Sequence, residues 1–349
     1  MHSRVLFSSS LYEDLAITLS DCHRDRIFIL TDDVTHELCW PKLSGFIGLQ
    51  RATHITIPHG DNNKTLDSLT HVWQELGKGG ATRHSCLICL GGGMVTDLGG
   101  FAASTFKRGI NYINIPTTLL AMVDASVGGK TGINFGGLKN EIGVFADSQY
   151  VIINTQFLNT LDQQNILSGY AEMLKHGLIS NTDNWSELIN FEISSPDLPA
   201  LQEMVDSSVT VKERIVEIDP LEKGIRKALN LGHTIGHAIE SWAMKSKHPL
   251  LHGYAVAYGL IGELYLSSVL CGFPTEKLRA TVAYINENYG KALFTCDDYD
   301  TLLELMTHDK KNTAGNINFT LLGDIGDIRI NQNAEKKMIL EALDFVREG

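Results

Sequence analysis

The chain has 349 residues, 43% hydrophobic and 20% charged, an ordinary balance for a globular enzyme, and its length predicts two domains. With 41 acidic residues against 29 basic ones the net charge is −12, which argues against nucleic acid as a partner, because that binding needs basic surface to neutralise phosphates. No apolar run reads as long enough for a membrane helix, and Glu13 and Asp14 interrupt the N-terminus too early for a signal peptide, so a cytoplasmic protein without a membrane partner is expected.

In chain order, RIFILTDDV (26–34) predicts a strand ending in turn-forming acids, and HITIP (54–58) predicts another. LDSLTHVWQELGKGG (66–80) predicts a helix with a glycine-rich stop. CLICLGGG (86–93) reads as a strand running into a glycine loop, VTDLGGFAASTF (95–106) as a helix and YINIPTT (112–118) as the next strand. Strands alternating with helices predict a parallel, doubly wound sheet: an α/β Rossmann-like domain over residues 1–155, with ligands outside the carboxyl ends of its strands. Helical patterns dominate afterwards, at 165–179, 200–218, 231–244, 253–270 and 335–348, and only NINFTLL (316–322) reads as a strand. A mainly α-helical domain is predicted over 156–349, with the active site in the cleft between the two.

Cys86 and Cys89 form a C-x-x-C, but they sit inside an apolar strand and no second cysteine pair exists, so reduced core cysteines are expected. Three other features carry chemistry. Gly91, Gly92 and Gly93 stand between a strand and a helix, which suits either a tight turn or a nucleotide site, where glycines let backbone amides approach a pyrophosphate and the helix N-terminus favours negative charge. His233 and His237 share one helix face, His252 opens a further helix, and the three fall within 20 residues. Neutral imidazoles plus one carboxylate make a catalytic divalent site, and Glu172 is a candidate carboxylate. The spacing alone does not select which histidines bind. Finally, Lys130, Lys139, Lys175, Lys212, Arg226, Lys310 and Lys311 lie beside glycines or polar turn residues, as a site for an anionic small molecule requires.

Over about residues 29–330 the sequence resembles the 3-dehydroquinate synthase family of sugar-phosphate cyclases, through GGGMVTDLGGF, KRGI, IPTTLLAMVDASVGGKTGIN, LKNEIGVF, GYAEMLKHGLI, LNLGHTIGHAIE, HGYAVAYG and HDKKNTAGNINFTLL. The resemblance implies NAD and a divalent metal, zinc or cobalt, as cofactors. It implies that Asp32, Asp61, Lys64, Gly92, Gly93, Asp97, Thr117, Thr118, Lys130, Lys139 and Thr160 line NAD, and that Glu172, His233 and His252 hold the metal. Asp124, Lys130, Asn140, Lys175, Lys212, Arg226, Asn230 and Lys310 match the substrate-binding set, and His237 becomes a supporting or proton-transfer residue. Arg108 matches an arginine that reaches a neighbour's substrate phosphate, which implies a homodimer.

The implied substrate is 3-deoxy-D-arabino-heptulosonate 7-phosphate, which is oxidised, loses phosphate, is reduced again and closes by an aldol step. Related cyclases take sedoheptulose 7-phosphate or glucose 6-phosphate, and iron-type polyol dehydrogenases share the architecture. Two departures stand out. FGGLKN carries Phe135 where the family has histidine, so a remodelled loop is expected, and Tyr254 replaces a glutamate beside His252, which implies a missing supporting carboxylate.

Overall fold

The computed structural model describes residues 3–22, 24–246, 249–307 and 317–349. The chain divides into two compact units, one of Met1–Asp162 with Asp197–Val209, the other of Gln163–Pro196 with Thr210–Gly349.

The first unit begins with β1 (Arg4–Phe7), α1 (Leu11–Asp21), β2 (Ile27–Asp32), α2 (Asp33–Leu38), β3 (Thr53–Ile57) and α3 (Leu66–Lys78). It continues through β4 (Cys86–Gly91), α4 (Gly93–Thr105), β5 (Asn111–Pro116), β6 (Lys130–Phe135), β7 (Leu138–Phe145) and β8 (Tyr150–Ile153). Six strands form one sheet in the order β1-β8-β5-β4-β2-β3, with every neighbouring pair parallel. The connection from β2 runs to one side of the sheet, and that from β4 runs to the other. The crevice beyond the carboxyl ends of β2 and β4 is therefore the switch point at which such sheets bind ligands. Asp32 ends β2 and the glycine loop follows β4.

Local sequence explains the elements. In α3, Leu69, Val72 and Leu76 recur at helical spacing and are buried against Phe28, Leu30 and Leu87. Each such burial stabilises by about 1.5–3 kcal/mol. Thr65 caps the helix, its side chain accepting from the Ser68 N–H at 3.3 Å. All of β4 is buried, as expected of a central parallel strand. Cys86 and Cys89 are free thiols there, and burial pushes the Cys89 thiol far above its ordinary value.

The structure departs locally from the sequence reading. The strand expected over 26–34 stops at Asp32, because Asp32 and Thr35 form a capping box that starts α2. The loop expected at FGGLKN is a two-residue turn joining β6 to β7, with Gly136 and Gly137 at φ of 60° and 81°, conformations that favour glycine.

The second unit contains α5 (Gln163–Ser180), α6 (Thr182–Asn190), the later part of α7 (Leu198–Ile218), α8 (His233–Lys245) and α9 (His252–Cys271). α10 (Thr275–Tyr289), α11 (Tyr299–Thr307), an antiparallel hairpin of β9 (Asn318–Asp324) and β10 (Asp327–Asn333), and α12 (Lys336–Glu348) complete it. β10 was not legible beside the expected strand at 316–322. Against the expectation that no run is long and apolar enough, α9 has the length and composition of a membrane span, with a mean hydropathy of 1.4; its most apolar window is 67% buried within the protein, as in a core helix. The fold class is a parallel α/β part followed by a mainly helical part.

Candidate active site and metal centre

In the first unit the glycine loop is shaped by lack of space. A Cβ on Gly91 would stand 2.6 Å from the Val95 side chain, and one on Gly92 would stand 3.0 Å from Thr118 Cγ2. Gly92 is the N-cap of α4 and brings no capping side chain, so the helix presents backbone amides to an anion. Around this loop the structure gathers five residues expected to meet cofactor or substrate. Lys64 is buried and paired with Asp97 in the first turns of α4, and its Nζ donates to Asn140 Oδ1 at 2.5 Å. Lys139 Nζ lies 3.4 Å from Asp61 Oδ2.

Asn134, which sequence reasoning missed, links this cluster. Its Nδ2 donates to the Asp61 carbonyl at 3.0 Å, and its Oδ1 accepts from the Asn140 N–H at 2.9 Å. Asp32 Oδ1 accepts from the Thr35 N–H at 2.7 Å, which fixes the carboxylate at the end of β2. The Thr117 N–H donates to the Gly91 carbonyl at 3.0 Å, Thr118 Oγ1 accepts from the Ala121 N–H, and Thr160 lies beside Cys39. Asp124 sits in the wide helical turn Ala121–Ala125, Lys130 is exposed at the start of β6, and Arg108 is exposed with a left-handed φ of 68°.

The second unit holds the metal candidates. Glu172 of α5 is fully buried, and its Oε1 lies 3.3 Å from His233 Nε2 and 3.4 Å from His252 Nε2. His233 Nδ1 stands 3.1 Å from the Leu231 carbonyl and His252 Nδ1 3.1 Å from Glu240 Oε2. Both Nδ1 atoms therefore face acceptors, which turns the two Nε2 atoms toward Glu172. Three possible ligand atoms converge, and among the described residues Glu172 Oε1 has no hydrogen-bond donor in good geometry. A buried group left so is costly unless a cation faces it, so the donor set fits a divalent ion. Burial works against charge on the Glu172 carboxyl, but Lys175, His233 and His252 outweigh it and hold its pKa well below the usual range. Burial lowers His233 to about 4; burial also opposes charge on His252, but Glu240 and Glu172 outweigh it and raise the ring to about 10, so a metal at this site would displace a proton from His252.

The carboxylate expected to be missing beside His252 is thus present in space. It is Glu240, from α8, whose Oε2 lies 3.1 Å from His252 Nδ1. The His237 ring lies 5.1 Å from that of His233 and 5.9 Å from that of His252, so the three histidines form one cluster.

Close helix packing brings them together. A Cβ on Gly236 would stand 2.9 Å from the Ala255 carbonyl oxygen, and one on Gly259 would overlap the Gly232 carbonyl. Gly232 itself has φ of 79°, at the turn into α8.

Lys175 is buried in an ion pair with Glu172, and Lys212 is buried on α7. Arg226 is 2% exposed, its Nη1 donating to the Pro220 carbonyl at 2.7 Å. Asn230 donates to Glu222 Oε1 at 3.1 Å; Glu222 is a second residue the sequence did not single out, and its left-handed φ of 59° marks it. Lys310 and Lys311 lie outside the described residues.

A family model described as 3-dehydroquinate synthase N-terminal matches residues 54–168, and one described as 3-dehydroquinate synthase C-terminal matches residues 169–312. The chain is 56% identical over 346 residues to a 3-dehydroquinate synthase of Parabacteroides distasonis, covering 99% of this chain and 98% of that one. Among solved structures, a 2-deoxy-scyllo-inosose synthase complexed with carbaglucose-6-phosphate, NAD+ and Co2+ superposes with a TM-score of 0.87 at 23% identity, covering 99% of this chain and 96% of the other. A 2-epi-5-epi-valiolone synthase from Streptomyces hygroscopicus subsp. jinggangensis, with NAD+ and Zn2+ bound, gives 0.87 at 24% identity, with 99% and 97% covered. At these identities the two structures speak for the fold.

Proposed function

The chain belongs to the 3-dehydroquinate synthase family, and on that premise we propose that it converts 3-deoxy-D-arabino-heptulosonate 7-phosphate to 3-dehydroquinate and phosphate, a carbon–oxygen lyase reaction of aromatic amino acid biosynthesis. The single observation that carries the reading is the convergence of Glu172 Oε1 with the Nε2 atoms of His233 and His252 at 3.3 and 3.4 Å. When bound, NAD takes and returns one hydride, and a divalent metal, zinc or cobalt, lowers the pKa of the hydroxyl being oxidised.

The protein's own residues bind, orient and neutralise. Glu172, His233 and His252 are the metal ligands. The α4 N-terminus with Gly92 and Gly93 receives the pyrophosphate of NAD, while Asp32 binds the adenosine ribose and Asp61, Lys64, Asp97, Thr117, Thr118, Lys130, Lys139 and Thr160 line the remainder. Lys130, Lys175, Lys212, Arg226 and Lys310 compensate the substrate's carboxylate and phosphate, and Asp124, Asn140 and Asn230 supply polar contacts. The planar guanidinium of Arg226 suits a carboxylate, which it pairs bidentately. His237, in ring contact with both ligand histidines, is the proton-transfer candidate. The active unit is a cytoplasmic homodimer, with Arg108 serving the partner's site.

The test is phosphate release from the heptulosonate phosphate, sedoheptulose 7-phosphate and glucose 6-phosphate, with and without chelator. The proposal expects chelator-sensitive release from the first substrate with no net NADH. Faster turnover of either carboxylate-free sugar overturns the substrate, and accumulation of NADH overturns the reaction class.

A further inference from the structure

Two glutamates outside the assigned ligand set tie together the helices that carry the metal-site histidines. α8 opens on His233 and α9 opens on His252. Glu263, fully buried on α9, accepts from the backbone N–H groups of Gly232 at 2.7 Å, Thr234 at 2.8 Å and Ile235 at 3.1 Å. No side chain of α8's own segment caps that end, so a carboxylate from the neighbouring helix holds the amides on either side of His233. A negative acceptor is also favoured there by the helix dipole.

The converse contact runs the other way. Glu240, on α8, faces His252 Nδ1 at 3.1 Å. Each acid lies on the same side of its helix as that helix's histidine, since separations of 7 and 11 residues are close to two and three full turns. The helix that presents one histidine therefore also carries the acid that fixes the other.

We infer that Glu263 and Glu240 are positioning residues that form a reciprocal brace, setting the separation and orientation of the His233 and His252 imidazoles for the metal. Glu263 acts on the His233 backbone, and Glu240 on the His252 ring. The inference rests on the metal reading above. The glycine contacts at Gly232, Gly236 and Gly259 bring α8 and α9 close; the two acids fix their rotation and the ring directions. Replacing either carboxylate by the isosteric amide preserves volume. At Glu263, where both oxygens accept, it turns an NH2 donor toward the N–H groups of α8; at Glu240, whose single contact with His252 Nδ1 a glutamine oxygen can still make, it removes the negative charge that strengthens that contact.

The experiment measures zinc affinity by chelator competition and the cobalt(II) absorption spectrum of the full-length protein, for wild type, Glu263→Gln, Glu240→Gln, His233→Ala and Ile285→Val. Ile285 is buried on α10, so its variant controls for loss of stability alone. Zinc dissociation constants about 10- to 100-fold higher and shifted cobalt bands are expected for both glutamate variants, with the control unchanged. Wild-type affinity and bands in both glutamate variants overturn the brace, even if their melting temperatures fall. Should Glu263→Gln not fold, Glu240→Gln decides, since Glu240 touches the His252 ring itself: wild-type affinity there overturns the inference. His233→Ala separates the two readings, because zinc held as in wild type would refute the metal assignment itself.

Discussion

Glu172 is fully buried and Lys175 is 1% exposed, so their ion pair escapes the solvent screening that weakens surface pairs. Glu172→Gln keeps the side chain's volume and leaves the Lys175 ammonium buried without a counter-charge. Losing one partner of a buried pair costs about 3–5 kcal/mol, so the metal-free variant should lose roughly that much stability. Lys175→Met in the same chain removes the stranded charge, and Glu172→Gln/Lys175→Met should recover more than half of the loss. Zinc separates the two roles of Glu172. At a free concentration of about 100 times its dissociation constant, zinc should stabilise wild type by about 2.7 kcal/mol, and it should stabilise neither variant appreciably. Urea denaturation with chelator or with buffered zinc measures both quantities. Equal metal-free stability of the single and double variants would refute the buried-pair argument. Full zinc stabilisation of Glu172→Gln would refute the ligand assignment.

Arg226→Ala should lower kcat/KM for the heptulosonate phosphate by about 2–4 kcal/mol, a factor of roughly thirty to a thousand, with a much smaller change for sedoheptulose 7-phosphate; equal losses on both would show that Arg226 serves another role. Gly259→Ala, which in an open helix gains about 1 kcal/mol, should instead destabilise by about 1–3 kcal/mol or more, because its Cβ meets the Gly232 carbonyl; thermal unfolding checks the sign. Burial works against charge on Asp219, but N–H groups of Gly224, Lys223 and Arg226 outweigh it and lower its pKa below 3.8. A depressed folded pKa means that its contribution is present above pH 3.8 and lost as pH falls through the folded value. Asp219→Asn should therefore be less stable at pH 7 yet lose less on acidification, as unfolding at pH 7 and pH 3 would measure. Mixing Arg108→Ala with Lys175→Ala protein should restore part of the activity through hybrid dimers, and no recovery after demonstrated subunit exchange would refute a shared site.

Much of the fold was legible because its signals are local. The buried run of β4 and the helical spacing of Leu69, Val72 and Leu76 are written within a few residues. β7 had no such signal: every residue in it is exposed, so no alternation of burial marks it, and it becomes a strand by pairing with β6 across the Gly136–Gly137 turn. β1 spans only four residues and takes its identity from pairing with β8, more than 140 positions away.

The same division runs through the candidate site. Gly92, Asp97, Glu172, His233 and His252 stand in short motifs, so the sequence by itself named the residue types that metal and nucleotide chemistry need. It could not say that Glu240 faces His252, that Glu263 caps the His233 helix or that Asn134 links Asp61 to Asn140. Those contacts join residues 6 to 73 positions apart, and no chain-order pattern encodes them. The crossing of α8 and α9, set by where Gly236 and Gly259 admit a neighbouring backbone, decided which acids reach the imidazoles. Motifs determine which groups a chain offers, and helix packing determines which of them meet, because hydrogen bonds act over about 3 Å whatever the separation in sequence.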